Sequence, residues 1–254
     1  ALADASTRLA GFTVPGLANS HSHAFHRALR PRTQADRGTF WTWRELMYRA
    51  AERLTPDTYH RLARATFAEM ALGGVACVGE FHYLHHQPDG SPYADANAMG
   101  EAVLCAADEV GIRITLLDTL YLHGGLGPGG YAEPTGVQHR FCDSSADAWV
   151  ERIGRLAPSE TRIIAAAVHS VRAVDPRSAH TAGEWATARG VPIHAHVSEQ
   201  VAENDACRAH HGVSPLQVLA DAGLLSECFS AVHATHVEPD AVTLLGEAGS
   251  TVVM

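Results

Sequence analysis

The stretch Pro15–His23, with the sequence PGLANSHSH, ends a short apolar run with two histidines two residues apart. Residues i and i+2 of a β-strand face the same side. We therefore predict that the imidazoles of His21 and His23 project together from the carboxyl end of a first strand. Two nitrogens on one rigid strand can bind the same divalent ion, and zinc suits imidazole ligands. Taken alone, a His-x-His pair is equally compatible with two histidines that only form hydrogen bonds.

Further along the chain, six short β-rich apolar runs alternate with segments of helical periodicity. The predicted strands are 12–19, 75–80, 112–118, 163–168, 191–197 and 230–233, and 251–254 begins another. Helix starts are predicted at Thr55, Ser214 and Glu238, each followed by a proline that fits the first helical turn. Further helices are predicted at 94–110 and 146–156, and the segment 124–136, rich in glycine and proline, is predicted to be a surface loop.

This alternation indicates an α/β fold with a parallel sheet. Its length and repetition favour a (β/α)8 barrel of the TIM type over an open doubly wound sheet, and no Gly-x-Gly-x-x-Gly follows the first strand. A closed barrel of this type has eight strands, whereas the sequence contains six and the start of a seventh. We therefore expect one barrel domain over residues 1–254 that holds strands one to about seven. Strand eight is expected beyond Met254, and both ends of the sequence are expected to be incomplete.

Composition limits the classes of partner and compartment. The net charge of −9 provides no basic surface for nucleic acid or an anionic membrane. No apolar run approaches the roughly 18 residues of a membrane span, and the first residues lack the pattern of a signal peptide. Five scattered cysteines without a Cys-x-x-Cys pair argue against a disulfide framework or a thiolate zinc site. We expect a cytoplasmic protein that binds neither nucleic acid nor membranes.

The active site of a TIM-type barrel forms at the carboxyl ends of its strands. Polar side chains close almost every predicted strand: His21 and His23 the first, Glu80, His82 and Tyr83 the second, His169 and Arg172 the fourth, His196 and Glu199 the fifth, His233 and His236 the sixth. Histidines without a shared function would be spread over helices and loops as well. Their concentration at strand ends therefore favours a metal site.

The spacing His196-x-x-Glu199 predicts a proton carrier next to the metal. There a carboxylate can act as general base toward a metal-activated water and then return the proton to the leaving group. A solvated residue at a helix start is the alternative for Glu199. His233 would lie across the ring of strands, free to bind metal or to hydrogen-bond the attacked centre. Arg172 suits a substrate carboxylate, although a surface role is the commoner one for an arginine.

Three segments resemble the amidohydrolase superfamily, in its deaminase branch with one metal ion: PGLANSHSH at 15–23, HVSEQ at 196–200 and VHATH at 232–236. Within that branch, FWTWRELMYR at 40–49 and GEFHYLHH at 79–86 resemble the formimidoylglutamate deiminase family of histidine degradation. The resemblance extends over essentially the whole chain. It implies the hydrolysis of N-formimidoyl-L-glutamate to N-formyl-L-glutamate and ammonia.

The resemblance also implies roles for the strand-end residues. His21, His23 and His196 would bind zinc, with iron as the alternative ion. Glu199 would move protons, and His233 would assist at the attacked carbon. The family's fourth metal ligand is an aspartate at the end of the eighth strand, and it is expected, like the family's β-sandwich domain, outside the 254 residues.

The substrate implied by the resemblance is a small molecule with carboxylates. The side chains expected around its glutamate-like part are Arg44, Tyr83, His169 and Arg172. His26 stands where the family has a glutamine, five residues after the first metal histidine. A neutral imidazole donates and accepts only in the right tautomer, so the substrate contacts of His26 are expected to differ. The resemblance further implies a homodimer.

Two other functions stay open at this point. A related aminohydrolase acting on a purine, pterin or triazine ring would need an aromatic-lined pocket rather than two arginines. A catalytically inactive metal-binding homologue would be consistent with the missing eighth strand and with His26 in place of glutamine.

Overall fold

Seven strands form one parallel sheet in the computed structural model, which describes residues 11–30 and 40–254. In sheet order these strands are β1 (Leu17–Ser22), β2 (Val75–His82), β3 (Arg113–Leu120), β6 (Arg162–Val168), β7 (Ile193–Val197), β8 (Phe229–His233) and β9 (Thr251–Val253). Two short strands, β4 (Gly125–Gly127) and β5 (Gly130–Ala132), form a separate antiparallel hairpin.

Helices connect the strands of the sheet. The described residues form the α-helices α1 (Phe40–Arg53), α2 (Pro56–Leu72), α3 (Ala98–Val110), α4 (Ala146–Ile153), α5 (Pro176–Arg189), α6 (Val201–His211), α7 (Pro215–Asp221) and α8 (Pro239–Glu247). In the same part of the chain, 3-10 helices span Ala24–Leu29 and Gly136–Arg140. Within 11–30 and 40–254, no helix has the length and apolar character needed to cross a membrane.

The sheet is strongly curved. Strands β1 and β8 are five positions apart in the sheet order, which in a flat sheet would separate them by about 24 Å. The rings of His21 on β1 and His233 on β8 nevertheless lie 5.7 Å apart. The sheet therefore bends so that β1 and β8 approach each other, as in a (β/α)8 barrel of which seven strands are present. This confirms the predicted fold class.

The middle strands are covered on both faces. All five residues of β7 are buried, and so is the run Ile164–Val168 of β6. Continuous buried runs of this kind are typical of parallel strands that pack against a core on one face and helices on the other. On the helical side, Phe67 of α2 and Trp149 of α4 are fully buried. This packing holds the carboxyl ends of the strands in fixed positions.

Local side-chain contacts fix where the helices begin. Side-chain oxygens of Thr55, Ser145, Asp175 and Ser214 each accept a hydrogen bond from the backbone N–H three residues later. Prolines occupy the first turn of α2, α5, α7 and α8. The predicted helix starts at Thr55, Ser214 and Glu238 are confirmed, although Glu238 makes no side-chain capping hydrogen bond.

The first strand differs from its prediction. The predicted strand 12–19 is wrong at both ends, because β1 begins at Leu17 and continues to Ser22. Phe12 and Val14 are exposed, and Pro15 has no N–H to donate to a neighbouring strand. The shift carries His21 into the strand itself. The other predicted strands differ from the observed ones by one or two residues at their ends.

The segment 124–136 is more ordered than a surface loop. It contains the hairpin β4–β5, and Gln138 Nε2 donates to the carbonyl of Gly124 at 2.8 Å. The hydroxyl of Tyr131 hydrogen bonds with His211 Nε2 at 3.1 Å and donates to the carbonyl of Val174 at 3.3 Å. The hairpin is thereby fixed against α6. The predicted helices 94–110 and 146–156 are shorter than expected, since α3 begins at Ala98 and α4 ends at Ile153.

Candidate metal centre and active site

Three histidine nitrogens converge where β1 and β7 end. His196 Nε2 lies 3.3 Å from His23 Nε2 and 3.4 Å from His21 Nε2. Two nitrogen ligands of a tetrahedral zinc ion, each about 2.0–2.1 Å from the metal, are separated by about 3.4 Å. The spacing of these imidazoles therefore fits a shared zinc ion.

The opposite nitrogens of two of these rings are anchored to backbone carbonyls. His23 Nδ1 lies 2.8 Å from the carbonyl oxygen of Phe81, and His196 Nδ1 lies 2.9 Å from that of His169. Each Nδ1 can therefore carry the proton and donate it, which leaves the Nε2 lone pair for a metal. Such anchoring also fixes the orientation of the ring.

Burial keeps these imidazoles neutral. It lowers the pKa of His21 to about 3, with the neighbouring His233 and His194 adding to the effect. The pKa values of His23 and His196 are also lowered well below the usual histidine value, chiefly by burial. Metals bind the neutral form of histidine. The neutral state of the three imidazoles and the spacing of their Nε2 atoms thus both fit a metal site.

His233 approaches the same cluster from β8. Its ring stacks on that of His196 with 5.3 Å between centroids, and one nitrogen each of His21, His196 and His233 lie within 4.8 Å of one another. His233 and the following Ala234 have φ values of +70° and +49°. L-amino acids rarely adopt this conformation, and it recurs where a functional site requires a particular direction of the chain. Here it turns the backbone at the strand end that bears His233.

Glu199 lies between His233 and an arginine. Its Oε1 is 3.9 Å from His233 Nε2, and its Oε2 is 4.0 Å from the terminal NH2 group of Arg172. The chain bends at Ser198, which has a φ of +50° and lies between β7 and Glu199. The side chain of Glu199 is 23% exposed, so it retains access to water in the cavity. A carboxylate in this position can exchange protons with a molecule bound at the histidines.

Ten of the residues singled out from the sequence line one cavity of about 390 Å³: His21, His23, His26, Arg44, Tyr83, His169, Arg172, His196, Glu199 and His233. The hairpin β4–β5 contributes Leu126 to the wall of this cavity. Five aromatic side chains also line it: Trp43, Tyr48, Tyr83, Tyr121 and Phe141. The cavity therefore combines a histidine cluster, two guanidiniums and an aromatic wall.

Hydrogen bonds orient the polar groups of the cavity. Arg44 Nε donates to the hydroxyl of Tyr48 at 2.9 Å, and Arg172 Nε donates to Glu203 Oε2 at 3.3 Å. His26 Nε2 shares a hydrogen bond of 2.8 Å with the hydroxyl of Tyr83. Burial lowers the pKa of His26 to about 3, so this imidazole is neutral and its second role depends on the tautomer.

A model of the amidohydrolase family matches residues 12–254. The chain belongs to this family. A formimidoylglutamate deiminase from Pseudomonas aeruginosa is 39% identical over 257 residues, which cover 98% of the chain and 55% of that relative.

Two solved structures share this fold. An amidohydrolase from Brucella melitensis gives a TM-score of 0.84 with 34% identity, covering 93% of this chain and 53% of its own. A variant atrazine chlorohydrolase from Arthrobacter aurescens TC1, crystallised with zinc and atraton, gives a TM-score of 0.77 with 24% identity, covering 94% and 52%. The chain spans about half the length of the relatives that it matches.

Three strand-end residues of this amidohydrolase do not line the cavity: Glu80, His82 and His236. Glu80 and His82 alternate along β2 with Phe81, whose ring packs 4.1 Å from that of His196. Because side chains alternate along a strand, Glu80 and His82 face the helices outside the barrel. Glu80 Oε1 accepts a hydrogen bond of 2.6 Å from the backbone N–H of Ala24, and burial raises the pKa of this carboxyl to about 8. Glu80 thus holds the 3-10 helix that follows the histidine pair.

A second group of metal-competent side chains surrounds His82. His82, His85 and Asp118 are buried and place ligand atoms within 4.8 Å of one another. Both oxygens of Asp118, however, accept hydrogen bonds of 2.8 Å from Arg152, and one also accepts from Trp149 Nε1 at 2.9 Å. The guanidinium neutralises the carboxylate, and its charge opposes a second cation at short range. We interpret this group as a structural ion-pair network.

One charged residue of the amidohydrolase site, Glu203, was not predicted from the sequence. Glu203 lies on the first turn of α6, 1% exposed, and contacts Arg172. Its spacing of four residues from Glu199 is a helical repeat that would place both carboxylates on one side of a helix. Glu199 lies before α6, however, so the spacing alone does not predict the arrangement found here.

Proposed function

We propose that this amidohydrolase chain carries the active site of a zinc-dependent deiminase that hydrolyses N-formimidoyl-L-glutamate to N-formyl-L-glutamate and ammonia. The observation that carries the proposal is the presence, in one cavity, of the histidine cluster, Glu199 and the guanidiniums of Arg44 and Arg172. The 39% identity to a formimidoylglutamate deiminase supports the choice of substrate.

The proposed metal ligands in this chain are His21, His23 and His196, each through Nε2. When bound, the ion activates water as a nucleophile near neutral pH. The spacing of 3.3 and 3.4 Å between the Nε2 atoms and the neutral state of the rings support this assignment. Zinc is proposed in preference to iron because it suits three imidazoles in a tetrahedral arrangement and is present in the atrazine chlorohydrolase relative.

Glu199 is the proposed proton carrier. Its carboxylate takes a proton from the attacking water as the new C–O bond forms at the amidine carbon. The same carboxyl group gives this proton to the amidine nitrogen, takes the remaining proton from the new hydroxyl group and delivers it to the same nitrogen. The C–N bond then breaks as the C=O bond of the formyl group forms, and ammonia leaves. His233, 3.9 Å from Glu199, is proposed to hydrogen-bond the group that develops at the attacked carbon.

The arginines are proposed to bind the carboxylates of the substrate. Desolvating a carboxylate is costly unless a cation or several donors compensate it. Arg172 and Arg44 present planar guanidiniums that match carboxylates in bidentate fashion. Tyr83, His169 and His26 supply further polar contacts around the chain of the substrate. A homodimer and a cytoplasmic location stay predictions.

One observation favours a second candidate. The aromatic lining by Trp43, Tyr48, Tyr121 and Phe141 would also suit a flat ring, and the atrazine chlorohydrolase relative was crystallised with atraton. The second candidate is therefore an aminohydrolase acting on a purine, pterin or triazine ring. Two guanidiniums in the same cavity favour the dicarboxylate substrate, because a neutral ring carries no negative charge for them to attract.

Ammonia release by the zinc-loaded full-length protein tests the proposal. We expect rapid release from formimidoylglutamate and little from guanine or S-adenosylhomocysteine. Turnover of a ring substrate alone would establish the second candidate. A protein that binds one zinc ion per chain and releases no ammonia from any of these substrates would be the inactive metal-binding homologue.

A further inference from the structure

Glu203 is a buried carboxylate that contacts two functional elements at once. Its side chain is fully buried, and both oxygens are engaged. Oε1 accepts a hydrogen bond of 3.2 Å from the backbone N–H of Ser198, and Oε2 accepts one of 3.3 Å from Arg172 Nε. A buried carboxylate without such partners would be strongly destabilising. The burial of Glu203 therefore depends on these two contacts.

The contact with Ser198 fixes the turn that carries Glu199. Ser198 has a φ of +50° and is 2% exposed, so its backbone is held in a conformation that L-amino acids rarely adopt. The carbonyl of Ser198 accepts a hydrogen bond of 3.0 Å from the N–H of His236, and its own N–H donates to Glu203. Hydrogen bonds to the N–H and to the carbonyl of Ser198 thus fix this turn. Glu199 is the residue that follows it.

The contact with Arg172 fixes the orientation of the guanidinium. Its N–H groups form a rigid planar fork, so a partner at Nε sets the plane in which the terminal groups donate. Burial opposes the charge of Arg172, but Glu203, Tyr121 and Glu199 together outweigh this effect, and the pKa of the guanidinium is raised. Burial raises the pKa of Glu203, an effect that Arg172 opposes.

We infer that Glu203 is a positioning residue that fixes the proton carrier Glu199 and the substrate-binding Arg172 relative to each other. This inference rests on the proposed function and adds to it a buried residue of the cavity wall that acts through Glu199 and Arg172. Arg172 lies between two carboxylates, 3.3 Å from Glu203 and 4.0 Å from Glu199. Without the charge of Glu203, the guanidinium of Arg172 is expected to move toward Glu199. It would then pair with the proton carrier and no longer direct its N–H groups at the carboxylate of the substrate.

Glu203→Gln tests the inference, because glutamine keeps the shape of the side chain and removes its charge. A hydrogen bond to a charged group contributes about 1.5–3 kcal/mol, equivalent to about 10- to 100-fold. For formimidoylglutamate we expect kcat to fall and KM to rise, each by about tenfold or more. For N-propylformamidine, which has no carboxylate, kcat should fall by a similar factor while KM stays close to that of the wild type. Glu203→Asp, which keeps the charge, should recover part of both losses.

Glu238→Gln is the matched control. Glu238 pairs with Arg208, which lies on α6 as Glu203 does. This pair is exposed and lies outside the cavity. This variant should match the wild type in kcat and KM. Introducing Glu203→Gln into an Arg172→Gln background should add little to KM and still lower kcat. Circular dichroism and the thermal unfolding midpoint identify any loss that comes from unfolding, and activities are expressed per folded protein.

Glu203→Gln with unchanged kcat and KM per folded protein would overturn the inference. A rise in KM for both substrates, or no recovery in Glu203→Asp, would also overturn it. A wild-type protein that releases no ammonia from formimidoylglutamate refutes the proposed function instead. In that case calorimetry with L-glutamate tests the effect of Glu203 on Arg172. An affinity for L-glutamate about tenfold lower in Glu203→Gln supports the inference, and an unchanged affinity refutes it.

Discussion

The Nε2 atoms of His23 and His196 lie 3.3 Å apart, although 173 positions separate the two residues in the chain. Both rings direct Nδ1 at a backbone carbonyl, of Phe81 and His169 respectively. With the protons on Nδ1, the two Nε2 lone pairs face each other, an arrangement that a shared cation stabilises. The backbone of β2 and of the turn after β6 thus prepares these side chains for a metal.

Replacing either histidine by asparagine should therefore abolish tight zinc binding. For His196→Asn and His23→Asn we expect affinity to fall by more than about 100-fold, beyond the loss typical of altering a residue that only supports a ligand. The measurement is zinc per chain after dialysis against a zinc buffer. His210→Asn, an exposed histidine on α6, is the control and should retain the ion. Full zinc occupancy in His196→Asn would refute the assignment of the metal centre.

Glu199→Gln should separate proton transfer from binding. The amide has the shape of the carboxylate but cannot accept the proton, so kcat should fall by about 100- to 10,000-fold. Zinc content and KM should change little, because Glu199 is not among the converging histidine ligands. Steady-state ammonia release and metal analysis measure the two effects. Glu184→Gln, at an exposed position on α5, should have wild-type kinetics. A Glu199→Gln enzyme with near-normal kcat would exclude this residue as the proton carrier.

The strand-end residues could be predicted because two regularities act together. Period-two alternation places His21 and His23 on one face, and parallel strands bring their carboxyl ends to one side of the barrel. The same alternation, applied to β2, would have excluded Glu80 and His82, since both face away from Phe81. The start of β1 was misjudged because Phe12 and Val14 are apolar yet exposed, and only tertiary contacts reveal that.

Glu203 and the hairpin β4–β5 could not be predicted from the sequence pattern. Glu203 looks like an ordinary charged residue on the first turn of a helix, a position that favours acids through the helix dipole. Its contacts with Ser198 and Arg172 depend on how α6 packs beside the turn after β6. The hairpin is short and rich in glycine, and its position is set by the side chain of Tyr131 reaching His211 and Val174.

Asp118→Asn should strongly destabilise the fold. Asp118 and Asp143 both pair with Arg152 at 2.8 Å, and all three side chains are almost fully buried. Removing one partner leaves part of a buried charge uncompensated, which costs about 3–5 kcal/mol. The free energy of unfolding from urea titration measures the loss. Asp108→Asn breaks an Arg–Asp pair at the surface and should cost no more than about 1 kcal/mol. Equal losses in the two variants would contradict this interpretation of the network.

Acid should destabilise the metal-free protein from about pH 6.5 downward. Burial lowers the pKa of a set of histidines to about 4 or below: His21, His26, His85 and His194. In the unfolded chain they take up protons near pH 6.5, whereas in the folded protein they stay neutral. The unfolded state then binds more protons, so the free energy of unfolding decreases as pH falls.

Each such histidine contributes fully above about pH 6.5 and loses about 1.4 kcal/mol per pH unit below it, until the pH reaches the folded pKa. Glu80 acts in the opposite sense, since its raised pKa of about 8 makes the folded state hold one extra proton between about pH 4.5 and 8. The one extra proton that Glu80 holds in the folded state does not offset the protons that the four histidines take up only in the unfolded state. Urea unfolding of the chelator-treated protein at pH 7.5, 6.5, 5.5 and 4.5 should therefore give a small change above pH 6.5 and a steep decrease below it. Below pH 6.5, His85→Gln should lose less free energy of unfolding than the wild type, by up to about 1.4 kcal/mol per pH unit, because glutamine does not titrate. A free energy of unfolding that stays constant from pH 6.5 to 4.5 would show that these histidines are not buried as neutral groups.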